Sequence, residues 1–162
     1  MNYFKISFCI FVTLAASRFI PHPYNFTSLI ALSFYVPAVL GPIYIPALLV
    51  SFIITDFFIG FHAVILFTWG SVFLIGLLAK FFISNMTNRI MGALTSTFVF
   101  FVITNFGVWS LGSYGYTLEG LLTNYTLAIP FYGNTLISTL FFSVLIEIVL
   151  KLKFNKNKFI KV

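Results

Sequence analysis

The sequence has few of the residues that soluble proteins and most enzymes depend on. Charged residues make up only 7% of its 162 residues, whereas a soluble globular domain has about a quarter. One cysteine excludes an intrachain disulfide, and three acidic residues with two histidines leave little for a metal cluster or a proton relay. No GxSxG, HExxH or glycine-rich phosphate loop occurs. The sequence therefore predicts neither an enzyme nor a metal or cofactor site.

Apolar residues are abundant instead, at 60% of the chain, with 23 phenylalanines among them. So little polar surface cannot enclose so much apolar surface in water, and lipid is the expected surrounding. About 20 residues cross a bilayer as a helix, so the chain has room for about six spans. We expect an all-α integral membrane protein with one transmembrane domain, 1–152, and a basic cytoplasmic tail, 153–162.

Six apolar runs bounded by turn signals are the predicted spans. They lie at 4–20, 27–41, 43–60, 63–82, 90–107 and 133–152. A five-span alternative stays open because the second run is short and contains Pro37. The first run also resembles a cleaved secretory signal, but cleavage would export the lysine-rich tail, so we expect the run to be retained.

The positive charges predict the orientation of the spans. With an even number of spans, Lys5, Lys80, Arg89 and the five lysines after residue 150 share one side, which leaves Arg18 alone on the other. Both termini are therefore expected to be cytoplasmic. The basic tail favours anionic lipid headgroups over nucleic acid, which we do not expect as a partner.

Polar side chains gather near the expected outer ends of the spans and in the outer loops. Such a layer of hydrogen-bonding groups and rings above an apolar bundle is typical of a small-molecule pocket between helices. The candidate ligand-binding residues are Arg18, His22, Asn25, Asp56, His62, Asn105, Trp109, Tyr125 and Asn134.

Two ion pairs and a lid are predicted alongside this pocket. A carboxylate inside the bilayer needs a partner, and Arg18 is the candidate partner for Asp56. Glu147 precedes Lys151 by four residues, the favourable order for a pair within one helix, so we interpret it as structural. Residues 117–131 read as a short amphipathic helix that ends at Pro130 and covers the outer mouth.

Four segments carry a resemblance to a known family. They are SRFIPHPYNFT at 17–27, DFFIGFH at 56–62, TNFGVW at 104–109, and GLL to AIPFYGN across 120–134. In this order they resemble an uncharacterised family of small bacterial integral membrane proteins. That family is distantly similar to the S components of energy-coupling-factor (ECF) transporters. The resemblance implies a location in the bacterial inner membrane, an outward-facing pocket and an ATPase coupling module as partner.

The leading hypothesis is a membrane-embedded subunit that binds a small polar solute, such as a vitamin, for uptake. The first alternative is a structural or assembly subunit of a larger membrane complex, whose outer polar layer contacts a protein. A membrane enzyme is the remaining alternative. A cavity lined by the polar layer favours solute binding, whereas a packed interior with a flat apolar flank favours a protein partner.

Overall fold

The protein is a bundle of α-helices. The computed structural model describes residues 3–159, with side chains for residues 3–152. Within these residues no strand is present, and short 3-10 turns at Pro42–Tyr44 and Ala79–Phe82 precede α3 and follow α4. The six α-helices are α1 Tyr3–Phe19, α2 Leu29–Leu40, α3 Ile45–Ile59, α4 Ile65–Leu78, α5 Met86–Ser110 and α6 Leu118–Phe159. The predicted all-helical fold is confirmed.

Four of these helices, counted with their 3-10 turns, are long and apolar enough to cross a membrane. They are Pro42–Ile59, Ile65–Phe82, Met86–Ser110 and Leu118–Leu152. The large apolar side chains that remain exposed on them are those expected to face lipid, as for Phe57, Phe58 and Leu66. The coarse prediction of long apolar helices therefore agrees with the structure.

Helix α2 is the central element of the bundle. Nine of its 12 residues, Leu29–Pro37, are buried, and it contacts all five other helices. At ~1.5 Å per residue it is about 18 Å long, well short of a ~30 Å hydrocarbon core. Its near-continuous apolar sequence is explained by enclosure in protein rather than by contact with lipid.

The predicted lid helix is wrong. Residues 118–159 form one helix of 42 residues with Pro130 inside it. A proline within a helix costs ~3 kcal/mol, and contacts with α5 along the helix offset that cost. These contacts run from the amide of Asn124, which donates to the carbonyl of Asn105 at 2.6 Å, to the ion pair of Glu147 with Arg89. The division between a domain ending at 152 and a tail stays a prediction, although the α6 backbone continues past it.

The bundle has two ends, because successive helices run in opposite directions. The Arg18 end holds the last turns of α1, α3 and α5 and the first turns of α2 and α4, whereas the Glu147 end holds the opposite termini. The apolar core lies between them around α2, with Leu14, Phe34, Leu48 and Ile75 fully buried. Each end contains one buried ion pair.

Gly92 marks a close approach of α5 to α2. A Cβ at this position would lie 2.6 Å from the ring of Phe34 and 2.6 Å from the Cβ of Phe82. We expect Gly92→Ala to lower the free energy of unfolding by about 1–3 kcal/mol through overpacking. Gly70→Ala is the matched control, since its Cβ meets nothing within 4 Å and alanine is the better helix former. Thermal unfolding in detergent measures both, and equal stability of the two variants would contradict the close approach.

Candidate functional site

Arg18 and Asp56 form an ion pair at the Arg18 end. The Nη2 of Arg18 lies 2.7 Å from the Oδ1 of Asp56, and Nη1 donates to the hydroxyl of Thr55. The carboxyl side chain is 1% exposed and that of the arginine 13%. The guanidinium also lies 4.7 Å from the ring centroid of Phe52. The predicted pair is present and ties the last turn of α1 to the last turn of α3.

Trp69 completes this group and was not predicted from the sequence. Its indole Nε1 donates to the Oδ2 of Asp56 at 2.7 Å, while Oδ1 lies against Arg18 in the ion pair and has no aligned hydrogen bond. The contact adds α4 to the helices joined by the pair. A tryptophan four residues into an apolar run gives no signal by itself, although an indole in such a run needs an acceptor. Arg18, Asp56 and Trp69 are named the Arg18 clamp below.

A cavity of about 590 Å³ lies beside the Arg18 clamp. All six helices contribute to its wall, together with the α1–α2 loop, residues 20–28, and the α3–α4 loop, residues 60–64. Five predicted site residues line it: Arg18, His22, Asn25, His62 and Asn105. The volume falls within the range of small-molecule sites in proteins.

The other four predicted residues do not line the cavity. Asp56 is 1% exposed and adjoins the cavity only through its ion pair with Arg18, which does line the cavity. Trp109 Nε1 donates to the carbonyl of Thr117 at 3.2 Å and closes the turn between α5 and α6, while the Tyr125 hydroxyl donates to the carbonyl of Val102 at 2.7 Å. The positions of these residues along their helices predicted the correct end of the bundle. Their side chains, however, lie on helix faces that do not line the cavity.

Asn134 holds the α1–α2 loop. Its Nδ2 donates to the carbonyl of Tyr24 at 3.1 Å, and the hydroxyl of Ser138 lies 3.4 Å from the carbonyl of Asn25. Asn25 itself adopts φ +60°, a left-handed conformation that asparagine tolerates. The segment over the cavity is therefore this loop, which is hydrogen-bonded to α6, and not the helix predicted at 117–131.

His22 is also engaged with the backbone. Its Nδ1 lies 2.8 Å from the carbonyl of Pro23 and its Nε2 lies 3.3 Å from the carbonyl of Arg18. Prolines on both sides hold the residue extended. The ring fixes the loop to the end of α1, so it serves the cavity by placing the loop. Among the residues that the structure describes, no three His, Cys, Asp or Glu side chains come together.

Threonines outside the set of candidate residues also line the cavity, and three of them come from three different helices. Thr68 on α4, Thr104 on α5 and Thr135 on α6 are all part of the wall. Each hydroxyl donates to a carbonyl of its own helix, at 2.8, 2.8 and 2.9 Å respectively. Threonine is common in apolar helices, and only its position relative to the neighbouring helices separates these three from the rest.

A second buried ion pair lies at the Glu147 end. The Nε and Nη2 of Arg89 each donate to one carboxylate oxygen of Glu147 at 2.7 Å, and the hydroxyl of Tyr35 donates to Oε1 at 3.1 Å. Glu147 is 4% exposed. The predicted pairing of Glu147 with Lys151 is wrong: Lys151 is exposed, and the carboxylate instead meets a bidentate arginine from α5. Glu147, Arg89 and Tyr35 are named the Glu147 clamp.

The geometry defines a class: an all-helical bundle with four helices fit to cross a membrane, two buried ionic clamps and a cavity at one end. Within that class, the chain belongs to DUF6580, a family of unknown function, whose model matches residues 2–160. An uncharacterised family was the expectation from the sequence. No curated protein and no solved structure matches the chain.

Proposed function

We propose that the protein is a membrane-embedded subunit that binds a small polar solute. The observation that carries the proposal is the cavity of about 590 Å³ at the Arg18 end, to which every helix contributes. A site of this size, mostly apolar with a few convergent polar groups, is typical of small-molecule recognition. A subunit whose only role is assembly has no need of such a space in its interior.

The proposal includes six membrane crossings with both termini in the cytoplasm. The distribution of the lysines and arginines supports this orientation. The four long apolar helices are four of the crossings, and α1 and the short α2, which is enclosed by the other helices, are the other two. The cavity then faces the outside, where a solute is captured for uptake. In a transporter of the ECF type, which the sequence resembles, an ATPase module supplies the energy, and we propose such a module as a partner.

Cysteine labelling tests the orientation. In a Cys9→Ser background, a cysteine at position 61 in the α3–α4 loop is expected to react with a membrane-impermeant maleimide in intact cells. A cysteine at position 151 is expected to react only after the membrane is opened. Both positions are exposed on the bundle, so access depends on the side of the membrane. Labelling of position 151 in intact cells would contradict the orientation.

Mass spectrometry of copurified small molecules tests the binding function. We expect the purified protein to carry a compound that Thr104→Phe removes, because the new ring fills the cavity. Thr95→Phe is the matched control, since Thr95 lies on the same helix but is exposed and outside the cavity wall. Retention of the compound by the Thr104 variant, or its absence from the unaltered protein, would contradict the proposal. Copurification of a protein subunit with an empty cavity would favour the assembly role instead.

A further inference from the structure

We propose that the cavity takes an uncharged ring compound with N–H or O–H donors and discriminates against carboxylates and phosphates. The inference rests on the proposed function and names the substrate class of the same site. A single arginine in the wall of a binding site would by itself favour an anion, and the pairing of Arg18 removes that preference. The inference follows from the charges and the hydrogen-bonding atoms that remain available to a ligand after the contacts within the protein are made.

The charge of Arg18 is neutralised within the protein. Among the residues that the structure describes, Arg18 is the one arginine or lysine in the cavity wall. Its Nη2 lies 2.7 Å from the carboxylate of Asp56 in the ion pair, and its Nη1 donates to the hydroxyl of Thr55. An anion entering the cavity would meet a neutral pair instead of a free cation. Its desolvation would then be poorly compensated, because a buried charge needs an opposite charge or several donors.

Most donor hydrogens of four polar side chains in the inner wall are used within the protein. The hydroxyls of Thr68, Thr104 and Thr135 donate to their own helices, and Nδ2 of Asn105 donates to the carbonyl of Phe101 at 2.8 Å. On these four side chains, the atoms left for a ligand are the three threonine oxygens, Oδ1 of Asn105 and the second N–H of Asn105, so acceptors outnumber donors. Acceptors on three helices favour a ligand that donates.

Aromatic rings and aliphatic side chains form most of the remaining wall. Phe52, Phe100, Phe101, Phe131 and Tyr132 all line the cavity, and the rings of Phe101 and Tyr132 lie 4.8 Å apart between centroids. Aromatic walls favour a flat ring over a flexible chain, through stacked and edge-on contacts. Asn25 and His62 are exposed at the rim, so their donors lie away from the acceptor-lined interior.

Three compounds with the same benzene ring test separately whether the ligand must be uncharged and whether it must carry a hydrogen-bond donor. Benzamide is uncharged and donates N–H, N,N-dimethylbenzamide is uncharged without a donor, and benzoate is an anion. Saturation-transfer NMR titrations on the purified full-length protein in nanodiscs measure their dissociation constants. We expect benzamide to bind at least about 5-fold more tightly than either of the others, which is the effect of one well-made hydrogen bond in a buried site.

A pair of variants tests whether the preference for a donor depends on the cavity wall. Thr104→Val removes one acceptor without changing the size of the side chain, and we expect it to weaken benzamide about 5-fold and leave N,N-dimethylbenzamide unchanged. Thr95→Val is the control on the exposed face of α5. Any compound recovered by copurification is expected to be uncharged and to carry a donor.

The outcomes distinguish this inference from the proposed function. Benzoate or N,N-dimethylbenzamide binding as tightly as benzamide, with loss of binding in Thr104→Phe, would overturn the donor preference while supporting a solute site. A copurified phosphate or carboxylate would do the same. No binding of any of the three compounds and no copurified compound would overturn the proposed function, and the inference with it.

Discussion

Glu147→Leu is expected to cost about 3–5 kcal/mol of unfolding free energy. The change leaves the guanidinium of Arg89, whose side chain is 21% exposed, without its bidentate partner and leaves the hydroxyl of Tyr35 without an acceptor. Breaking a buried pair by removing one partner is costly because a charge stays behind without compensation. Unfolding in detergent, followed by circular dichroism against denaturant, measures the loss. The Glu147 clamp joins α2, α5 and α6, so the loss is expected to be cooperative.

Two further variants identify the cause of that loss. The double variant Glu147→Leu with Arg89→Met removes both charges and is expected to be more stable than Glu147→Leu alone. Glu119→Gln changes an exposed carboxylate and is expected to shift stability by less than about 0.5 kcal/mol. A double variant less stable than the single one would mean that the two side chains contribute separately and do not act as a pair.

The two buried acidic residues, Asp56 and Glu147, show what a sequence can and cannot predict about ion pairs. Asp56 needs a partner, and Arg18 is the only cation near its end of the bundle, so the pair follows from depth alone. Glu147 has several cations at its own end, among them the local Lys151 and the distant Arg89. Helical spacing favours the lysine, but the buried carboxylate selects the arginine that can satisfy both of its oxygens. That choice depends on packing between helices.

The covering of the cavity was predicted at the right end of the bundle but in the wrong segment. Pro130 is a strong local signal for a helix end, yet α6 continues through this residue because the helix packs against α5. The α1–α2 loop has the opposite character: its prolines give it no helix, and bonds from Asn134 and His22 give it a fixed position. Local propensity predicted the loop around Pro21 and Pro23 but failed at Pro130, and side-chain contacts between distant segments decide what covers the site.

Some residues of the cavity wall could be predicted from the sequence and others could not. Five candidate residues lie on it because polar groups at one depth in an apolar bundle tend to face each other across it. Thr68 and Thr135 were missed because a threonine that bonds to its own helix is compatible with any face. Trp109 and Tyr125 were included because depth does not give the rotation of a helix about its axis.

Asp56→Asn is expected to reverse the charge preference of the cavity while also destabilising the bundle. The amide no longer neutralises Arg18, so a cation stands unpaired in the wall. We expect the free energy of unfolding to fall by about 3 kcal/mol or more, and a double variant that also carries Arg18→Met to recover part of it. Strictly additive losses would mean that the two side chains do not interact. Stability is measured in the same detergent as for the Glu147 variants.

The binding consequence is the sharper result, because a merely structural role would not produce it. With Arg18 unpaired, benzoate gains a charge-assisted hydrogen bond, and we expect its affinity to rise by about 10- to 150-fold relative to benzamide. Trp69→Phe is the control: it removes the indole donor to Asp56 but leaves the carboxylate charge opposite Arg18. It is expected to lower stability without the gain in benzoate binding. If Asp56→Asn folds and benzoate binds no better than before, then Arg18 does not face the bound solute and Asp56 does not set the charge of the site.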